Sequence, residues 1–217
     1  MIPRVVIERA ATPDGELVLA RRGDDFSIRI RGVELMNSAH HTSEDELGRL
    51  CGGLVGEVRD PRLLIGGLGL GYTLRAALDV LPAAAHIDVA EIVPAVVRWN
   101  RTVLGALAGH PLDDPRVHVI EGDVAVTIRE SPARYHAIVL DVDNGPDGVF
   151  AGNSKLYQQR GLAAASAALV AGGTLAVWSA FQSPTFTKWL ADVGFAVEQQ
   201  VIRAHSVKHY IWLARKR

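Results

Sequence analysis

The stretch LLIGGLGLG (residues 63–71) decides the fold of this chain. Its three leading apolar residues predict a short buried strand, and the glycines that follow permit a sharp turn and a close approach of a ligand to the main chain. A helical pattern starts at Tyr72 and points its positive N-terminal end at the same turn. Strand, glycine turn and helix in this order indicate a nucleotide-type site, although such a turn also serves plain close packing.

Beyond this turn, apolar runs alternate with helical patterns along the chain. Predicted strands follow at Ile87–Ala90, Val117–Ile120, Ala137–Leu140 and Thr174–Trp178. Predicted helices run over Tyr72–Leu81, Pro94–Leu107, Leu156–Val170 and Ser183–Val193, and a closing antiparallel pair over Val197–Ile202 and His209–Ala214. Continuously apolar strands that alternate with helices predict an α/β fold, a parallel sheet covered on both faces. Ligands of such sheets bind beyond the carboxyl ends of the strands.

The first fifty residues have a different pattern. Short alternating runs are separated by Pro13-Asp14-Gly15 and by Gly23-Asp24-Asp25, which predicts hairpins in a small antiparallel sheet. Ser43 is the predicted N-cap of the next helix, with Glu46 as its capping-box partner. We therefore divide the chain into an N-terminal β-hairpin region (1–50) and a Rossmann-like nucleoside-binding catalytic domain (51–217).

Composition excludes several classes of protein. The 217 residues carry a net charge of -1 with scattered basic residues, so nucleic acid is not an expected partner. No apolar run has the roughly 20 residues that cross a bilayer. Cys51 is the single cysteine, which fits a reducing compartment, and we expect a cytoplasmic protein without membrane contact. His40-His41 is a poor chelating pair, and no metal is expected.

Acidic residues follow the predicted strands at the edge where ligands bind. Glu91 lies about 20 residues past the glycine turn, where a carboxylate binds ribose hydroxyls. Asp123, after Gly122, is suited to cap the next helix and to accept from an exocyclic amine. Asp141 follows a buried strand and is placed to bind a substrate amine or take its proton. For Asp143 and Asn144, turn formation and substrate contact are equally supported.

Taken together, the chain resembles the spermidine synthase-like branch of the class I S-adenosylmethionine-dependent transferases. The motifs that carry this resemblance are LLIGGLGLG (63–71), IDVAEIVPAVV (87–97), VIEGD (119–123) and AIVLDVDNGP (137–146), with a weaker contribution from RGVELMNSAHHTSEDEL (31–47). The resemblance implies a Rossmann-like fold with a mostly parallel seven-stranded sheet, its last strand antiparallel, and a small N-terminal antiparallel sheet. It also implies a homodimer.

The resemblance assigns roles to individual residues. Gly66, Gly67 and Gly69 would line the methionine and ribose of S-adenosylmethionine or its decarboxylated form, Glu91 would hold the ribose, and Gly122 and Asp123 would meet the adenine. Asp141 would orient or deprotonate the attacking amine. The loop after it reads DVDNGP where the family has Asp-Ser-Ser-Asp-Pro, so Asn144 takes the place of the second aspartate. Asp143, Asn144 and Tyr157 are the predicted acceptor contacts.

Four functions remain open at this stage. A dicationic acceptor needs several carboxylates to replace its hydration, and this sequence offers few. Methyl transfer to a small-molecule acceptor is therefore the first interpretation. Aminopropyl transfer from decarboxylated S-adenosylmethionine to a polyamine is the second, and a nucleoside-binding protein without catalysis the third. NAD-dependent oxidoreduction ranks last, because no Lys, Tyr or His occupies a convincing hydride-transfer position.

Overall fold

The N-terminal region forms a small sheet of its own. A computed structural model describes residues 2–142, 145–146, 154–204 and 207–217. Its first four strands are β1 (Val5–Thr12), β2 (Gly15–Arg22), β3 (Asp25–Ile30) and β4 (Val33–Asn37). They pair antiparallel with their sequence neighbours in the order β1-β2-β3-β4, which confirms the predicted small antiparallel sheet.

The first helix, α1 (Thr42–Val55), begins two residues before the predicted start. Its N-cap is His41, so the predicted Ser43 cap is wrong, and the Ser43 hydroxyl instead donates to Glu44 Oε2 over 2.6 Å. Tertiary contacts fix this start, because the His41 ring stacks on Tyr72 at 3.8 Å and its Nδ1 lies 2.9 Å from Asp45 Oδ2. Helix α1 also runs across residues 50 and 51, and the proposed domain division there stays a prediction.

The second sheet is the body of the molecule. Its strands are β5 (Arg62–Gly66), β6 (His86–Glu91), β7 (Val117–Glu121), β8 (Tyr135–Leu140), β9 (Leu169–Ser179), β10 (Phe195–Ala204) and β11 (Val207–Lys216). They lie in the order β10-β11-β9-β8-β5-β6-β7. The pairs among β5 to β9 are parallel, whereas β11 is antiparallel to both of its neighbours. This arrangement confirms the predicted seven-stranded fold with an antiparallel last strand.

Helices cover both faces of this sheet. The remaining ones are α2 (Tyr72–Val80), α3 (Pro94–Arg101), α4 (Val124–Arg129), α5 (Ser154–Tyr157), α6 (Gln159–Ala168) and α7 (Pro184–Asp192), with two short 3-10 helices at Gly105–Ala108 and Pro111–Asp113. The helix predicted over Leu156–Val170 is divided in two and ends early. It ends because Leu169 already pairs with Tyr135 of β8, which starts β9 before the two glycines at 172 and 173.

Two buried clusters pack on opposite faces of the large sheet. Alternate residues of β5 separate them, with Leu63 and Ile65 in one cluster and Leu64 in the other. The first cluster holds the apolar residues of α1, α2 and α3 together with those of the N-terminal sheet, and the second holds those of α4, α6 and α7. Among the described residues, the helices are all too short or too polar to cross a membrane.

Candidate functional site

Main-chain hydrogen bonds connect the carboxyl ends of adjacent strands. The Gly67 N–H donates to the Ala90 carbonyl, Gly122 N–H to the Glu91 carbonyl and Asp141 N–H to the Gly66 carbonyl, each over 2.9 Å. These three bonds bring the ends of β5, β6, β7 and β8 to one edge of the sheet. The glycine turn, Glu91, Gly122 and Asp141 are therefore neighbours in space, although 70 to 75 positions of chain separate the first from the last.

The glycine turn needs two of its glycines for steric reasons. Gly67 has φ +84°, and a Cβ there would lie 2.3 Å from the main-chain oxygen of Asp141. Gly69 has φ +53°, and a Cβ there would lie 3.1 Å from Met36 Sδ of strand β4. The sequence analysis did not single out Asn100, which is almost fully buried in α3 and whose Nδ2 donates to the Gly69 carbonyl over 2.9 Å. Strand β4 thus packs against the turn, and helix α3 donates a hydrogen bond to it.

The Glu91 carboxylate is a buried acceptor at the end of β6. Its Oε2 accepts from the Leu68 N–H over 3.0 Å and its Oε1 from the Val93 N–H over 2.8 Å. Burial raises the pKa of Glu91, while the main-chain donors around it act in the opposite direction. The main-chain N–H groups of Gly69 and Ile92 also act on this carboxylate, so four main-chain donors surround it. Glu91 therefore supports the glycine turn and places a carboxylate beside it.

Asp123 is the N-cap of α4. Its Oδ1 accepts from the Ala125 N–H over 2.8 Å, which is the capping geometry expected from the sequence. The residue itself is exposed to solvent. Gly122 precedes it and has open space around its Cα, since nothing lies within 4 Å of where a Cβ would be. Both residues border the same strand-end edge as Glu91, because Gly122 is bonded to that residue's carbonyl.

Asp141 is held by its main chain and its side chain at once. Beyond the bond from its N–H to Gly66, its Oδ2 accepts from Thr73 Oγ1 over 2.6 Å. Thr73 is only 4% exposed and lies in the first turn of α2, directly after the glycine turn. Asp141 keeps some exposed surface, yet protein atoms surround its carboxyl group. Helix α2 thus places the Thr73 hydroxyl where it donates to the Asp141 carboxylate.

A second carboxylate faces Asp141 across the site. Burial raises the pKa of Asp141 to about 7, and the nearby charge of Glu44 adds to this rise, whereas the Thr73 hydroxyl opposes it. Glu44 belongs to the first turn of α1, and its main-chain oxygen lies 3.4 Å from Thr73 Oγ1. The sequence analysis assigned Glu44 to a helix start only. The available signal is the acidic run of residues 44–46, from which the fold brings the charge of Glu44 close to Asp141.

The His209 ring lies close enough to Glu44 to feel its charge, and Trp178 packs against His209. The rings of Trp178 (β9) and His209 (β11) are 5.1 Å apart, and neither Trp178 Nε1 nor His209 Nδ1 has a hydrogen-bond partner among the described residues. Burial lowers the pKa of His209, and the charge of Glu44 opposes that effect. A neutral imidazole offers one acceptor nitrogen. The site therefore combines carboxylate oxygens with aromatic surface.

The structure does not place every predicted acceptor contact in this cluster. The ring of Tyr157 is fully buried on the other face of the sheet, edge-on to Phe186, and its hydroxyl donates to the Val142 carbonyl over 3.1 Å. It thereby supports the segment after Asp141 rather than lining the space beside it. The predicted contacts Asp143 and Asn144 lie outside the described residues.

A separate cavity of about 600 Å³ lies at the other end of the large sheet. It is bounded by the C-terminal end of α1 and by the first residues of β9 and β10, and includes His136 and Arg215. It shares no residue with the strand-end cluster. Within the described ranges, no group of three or more His, Cys, Asp or Glu side chains is arranged to hold a metal ion.

Comparisons with known proteins identify relatives of this chain by sequence. No family model matches the chain. A polyamine aminopropyltransferase of Mycobacterium tuberculosis is 31% identical over 194 residues, which cover 84% of this chain and 35% of that protein. Putrescine N-methyltransferase 2 of Nicotiana attenuata is 37% identical over 90 residues, 40% of this chain and 24% of that protein. This chain thus spans about a third or less of the length of these curated relatives.

Solved structures show the same fold. The crystal structure of spermidine synthase from Thermotoga maritima superimposes with a TM-score of 0.76 at 16% identity, over 98% of this chain and 73% of that one. A spermidine synthase in complex with the transition-state analogue AdoDATO gives a TM-score of 0.75 at 17% identity, over 98% of this chain and 72% of that one.

Proposed function

This chain is spermidine synthase-like in sequence and in fold, and on that premise we propose that it transfers an alkyl group from an adenosyl sulfonium donor to an amine. The observation that carries the proposal is the junction of two half-sites at one sheet edge. The glycine turn with Glu91 forms one, and Asp141 with Glu44 forms the other.

The donor half suits the nucleoside of such a donor. Glu91 is a buried carboxylate beside the glycine turn, and in this proposal its oxygens accept from the ribose hydroxyls as well as from the main chain. Gly122 leaves open space beside it, and Asp123 adds an exposed carboxylate next to the N-terminus of α4, where an exocyclic amine would donate. In this proposal Gly66, Gly67 and Gly69 line the path from the ribose toward Asp141. The donor is S-adenosylmethionine or its decarboxylated form.

The acceptor half suits an amine. An amine attacks only when neutral, and an Asp141 carboxylate whose pKa is about 7 is matched to removing its proton near neutral pH. When bound, the donor supplies a carbon activated by sulfur, which the amine attacks as the carbon–sulfur bond breaks and a thioether leaves. Asp141 receives the proton that the amine loses. Glu44 offsets the positive charge of the acceptor, and Trp178 provides an aromatic face for its chain.

The transferred group distinguishes two versions of this proposal. Aminopropyl transfer takes first place because the polyamine aminopropyltransferase similarity covers 84% of this chain. It is favoured over the methyl transfer to which the sequence analysis gave priority. The carboxylate that Glu44 adds beside Asp141 also supports a polyamine acceptor, which the sequence analysis judged too poorly supplied with carboxylates. Methyl transfer stays the second candidate, because similarity to putrescine N-methyltransferase extends over 40% of the chain.

One assay separates these candidates. Purified protein is incubated with putrescine and either decarboxylated S-adenosylmethionine or S-adenosylmethionine, and the nucleoside product is identified by mass spectrometry. Methylthioadenosine together with spermidine supports aminopropyl transfer. S-adenosylhomocysteine together with methylputrescine supports methyl transfer. Absence of both products across a panel of diamines and polyamines, with nucleoside binding retained, would leave the non-catalytic nucleoside-binding interpretation.

Dimerisation is part of the same proposal. Strand β1 is an edge strand of the N-terminal sheet, and Val5, Val6 and Ile7 on it are 55%, 45% and 42% exposed. An apolar edge of this kind supports pairing with a second copy of the chain. Light scattering coupled to size exclusion tests it, and a mass of one chain at micromolar concentration would contradict it.

A further inference from the structure

We propose that Thr73 is a positioning residue for Asp141, whose hydroxyl orients the Asp141 carboxylate and favours its deprotonated form. The inference rests on the proposed function, in which Asp141 takes the proton of the acceptor amine. It adds to that function a residue that the sequence analysis passed over and that touches neither reacting molecule.

The first argument is the geometry of the hydroxyl. Thr73 Oγ1 lies 2.6 Å from Asp141 Oδ2 and 3.4 Å from the main-chain oxygen of Glu44. A hydroxyl has a single proton to donate, and the short distance to a carboxylate identifies Asp141 as its acceptor. The longer contact then adds little. Oδ2 accepts this bond only while it carries no proton. The bond therefore stabilises the charged form of Asp141 relative to the form protonated on Oδ2.

The second argument is the fixed position of Thr73 itself. It lies in the first turn of α2, immediately after Gly71, and helix α1 packs closely against it. A Cβ on Gly48 of α1 would lie 2.4 Å from the Thr73 carbonyl oxygen, so the two helices approach to main-chain contact at this point. The side chain is almost completely buried. Thr73 is thus fixed where it donates, and its hydroxyl does not need to be ordered when substrate binds.

The third argument is the charge around Asp141. Glu44 of α1 faces it and disfavours its ionisation, as does burial. On β11, His209 faces Glu44, and on α2 the phenol of Tyr72 lies near Glu44 and Asp45. Among the described groups that act on the Asp141 carboxyl, the Thr73 hydroxyl is the one that favours the charged form. Without this hydroxyl, burial and the charge of Glu44 raise the pKa of Asp141 with no opposing hydrogen bond from Thr73.

The direct test is a titration of Asp141 that does not need activity. Carboxyl-labelled aspartate is followed by carbon NMR from pH 4 to 10, with the Asp141 resonance assigned from its loss in Asp141→Asn. In the wild type we expect a midpoint of about 7. Thr73→Val preserves the shape and removes the hydroxyl, and should raise the midpoint by about one to two pH units. Thr73→Ser keeps the donor and should restore the wild-type midpoint.

Controls keep the result interpretable if Thr73→Val folds poorly. Thr73→Ala removes the same hydroxyl with less steric demand and should shift the midpoint in the same direction. Thr102→Val removes an exposed threonine hydroxyl that donates to the Arg98 carbonyl, and should leave the Asp141 midpoint unchanged. Equal midpoints in the wild type, Thr73→Ala and Thr73→Ser would overturn the inference. So would a Thr73→Ser midpoint that moves as far as that of Thr73→Ala.

The kinetic counterpart separates this inference from the proposed function. With the amine acceptor varied, the acidic limb of the kcat/KM profile should move upward in Thr73→Val by the same amount as the NMR midpoint. The loss should then be about 8- to 80-fold at pH 6.5, for a rise of one to two pH units, and nearly absent at pH 9.5. A uniform loss at every pH would contradict the inference. A wild-type protein that transfers no group to any amine overturns the proposed function, while the NMR titration still decides the position of Thr73.

Discussion

The two halves of the site are built in different ways. The donor half is made by consecutive strand ends and one glycine turn, and main-chain hydrogen bonds connect them. The proposed acceptor half combines Asp141, after β8, with side chains from α1, β9 and β11, which meet only because α1 packs against the sheet. Local sequence therefore specifies the first half, whereas packing specifies the second.

This difference has consequences for substitution. A change in the donor half acts on main-chain bonds as well as on the ligand, because Glu91 supports the turn it serves. A change in the acceptor half acts on a few side-chain contacts and leaves the strand ends in place. Substitutions in the donor half should therefore weaken both ligand binding and the stability of the fold. Substitutions in the acceptor half should weaken binding and leave stability unchanged.

The largest expected effect is that of Asp141→Asn. An amide cannot take the proton of the amine, so kcat should fall by about 100- to 10,000-fold. Binding of methylthioadenosine, measured by calorimetry, should change less than twofold. Asp192→Asn, which removes an exposed carboxylate paired with Lys188, is the matched control and should keep wild-type kcat. A kcat within tenfold of the wild type would exclude Asp141 as the base.

Glu91→Gln comes next. The amide nitrogen of glutamine would face main-chain N–H groups that now donate to a carboxylate, and the ribose would lose a charged acceptor. The Kd of methylthioadenosine should rise by about 10- to 100-fold, since a hydrogen bond to a charged group contributes about 1.5–3 kcal/mol.

The same variant tests the coupling between binding and stability. Its melting temperature should fall, whereas that of Glu130→Gln, an exposed glutamate at the end of α4, should not. If Glu91→Gln bound methylthioadenosine as tightly as the wild type and melted at the same temperature, the donor half would not couple binding to stability.

Glu44→Gln should have a smaller and more selective effect. Loss of this charge should raise the KM of a diamine acceptor about tenfold, which corresponds to about 1.4 kcal/mol, and leave donor binding unchanged. Glu46→Gln removes a charge of the same helix that pairs instead with Arg49, and serves as control. Equal KM changes in the two variants would indicate a general effect of charge on α1 rather than a contact.

The last expected effect concerns how the stability of the fold depends on pH. The folded protein holds the Asp141 proton up to about pH 7, whereas the unfolded chain releases it near pH 4. This contribution to stability is therefore present at acid pH and lost as pH rises toward 7.

Asp141→Asn removes that loss. The melting temperature of Asp141→Asn minus that of the wild type should be larger at pH 8 than at pH 5. In a chain of this size, each 1 kcal/mol of unfolding free energy corresponds to about 2–4 °C. Scanning calorimetry at both pH values measures this difference. A constant difference would show that the Asp141 carboxyl is not perturbed in the folded state.

The sequence predicted the main-chain framework of the proposed donor half because the signals for that framework are local. The order of strand, glycine turn and helix, the acid after β6 and the cap at Asp123 each depend on residues within a few positions of one another. Glu44, Thr73 and Asn100 were missed for the opposite reason. In sequence they are a helix-start acid and two ordinary helical residues, and their partners lie 97, 68 and 31 positions away.

By itself, the sequence determined the parallel sheet, the small N-terminal sheet and the edge where a ligand would bind, because periodicity and glycine placement restrict each segment on its own. The tertiary structure decided which acid faces Asp141 and which hydroxyl donates to it. It also decided that Tyr157 is buried in the opposite core. Contacts of this kind depend on how helices pack across a sheet, and no short stretch of sequence contains that information.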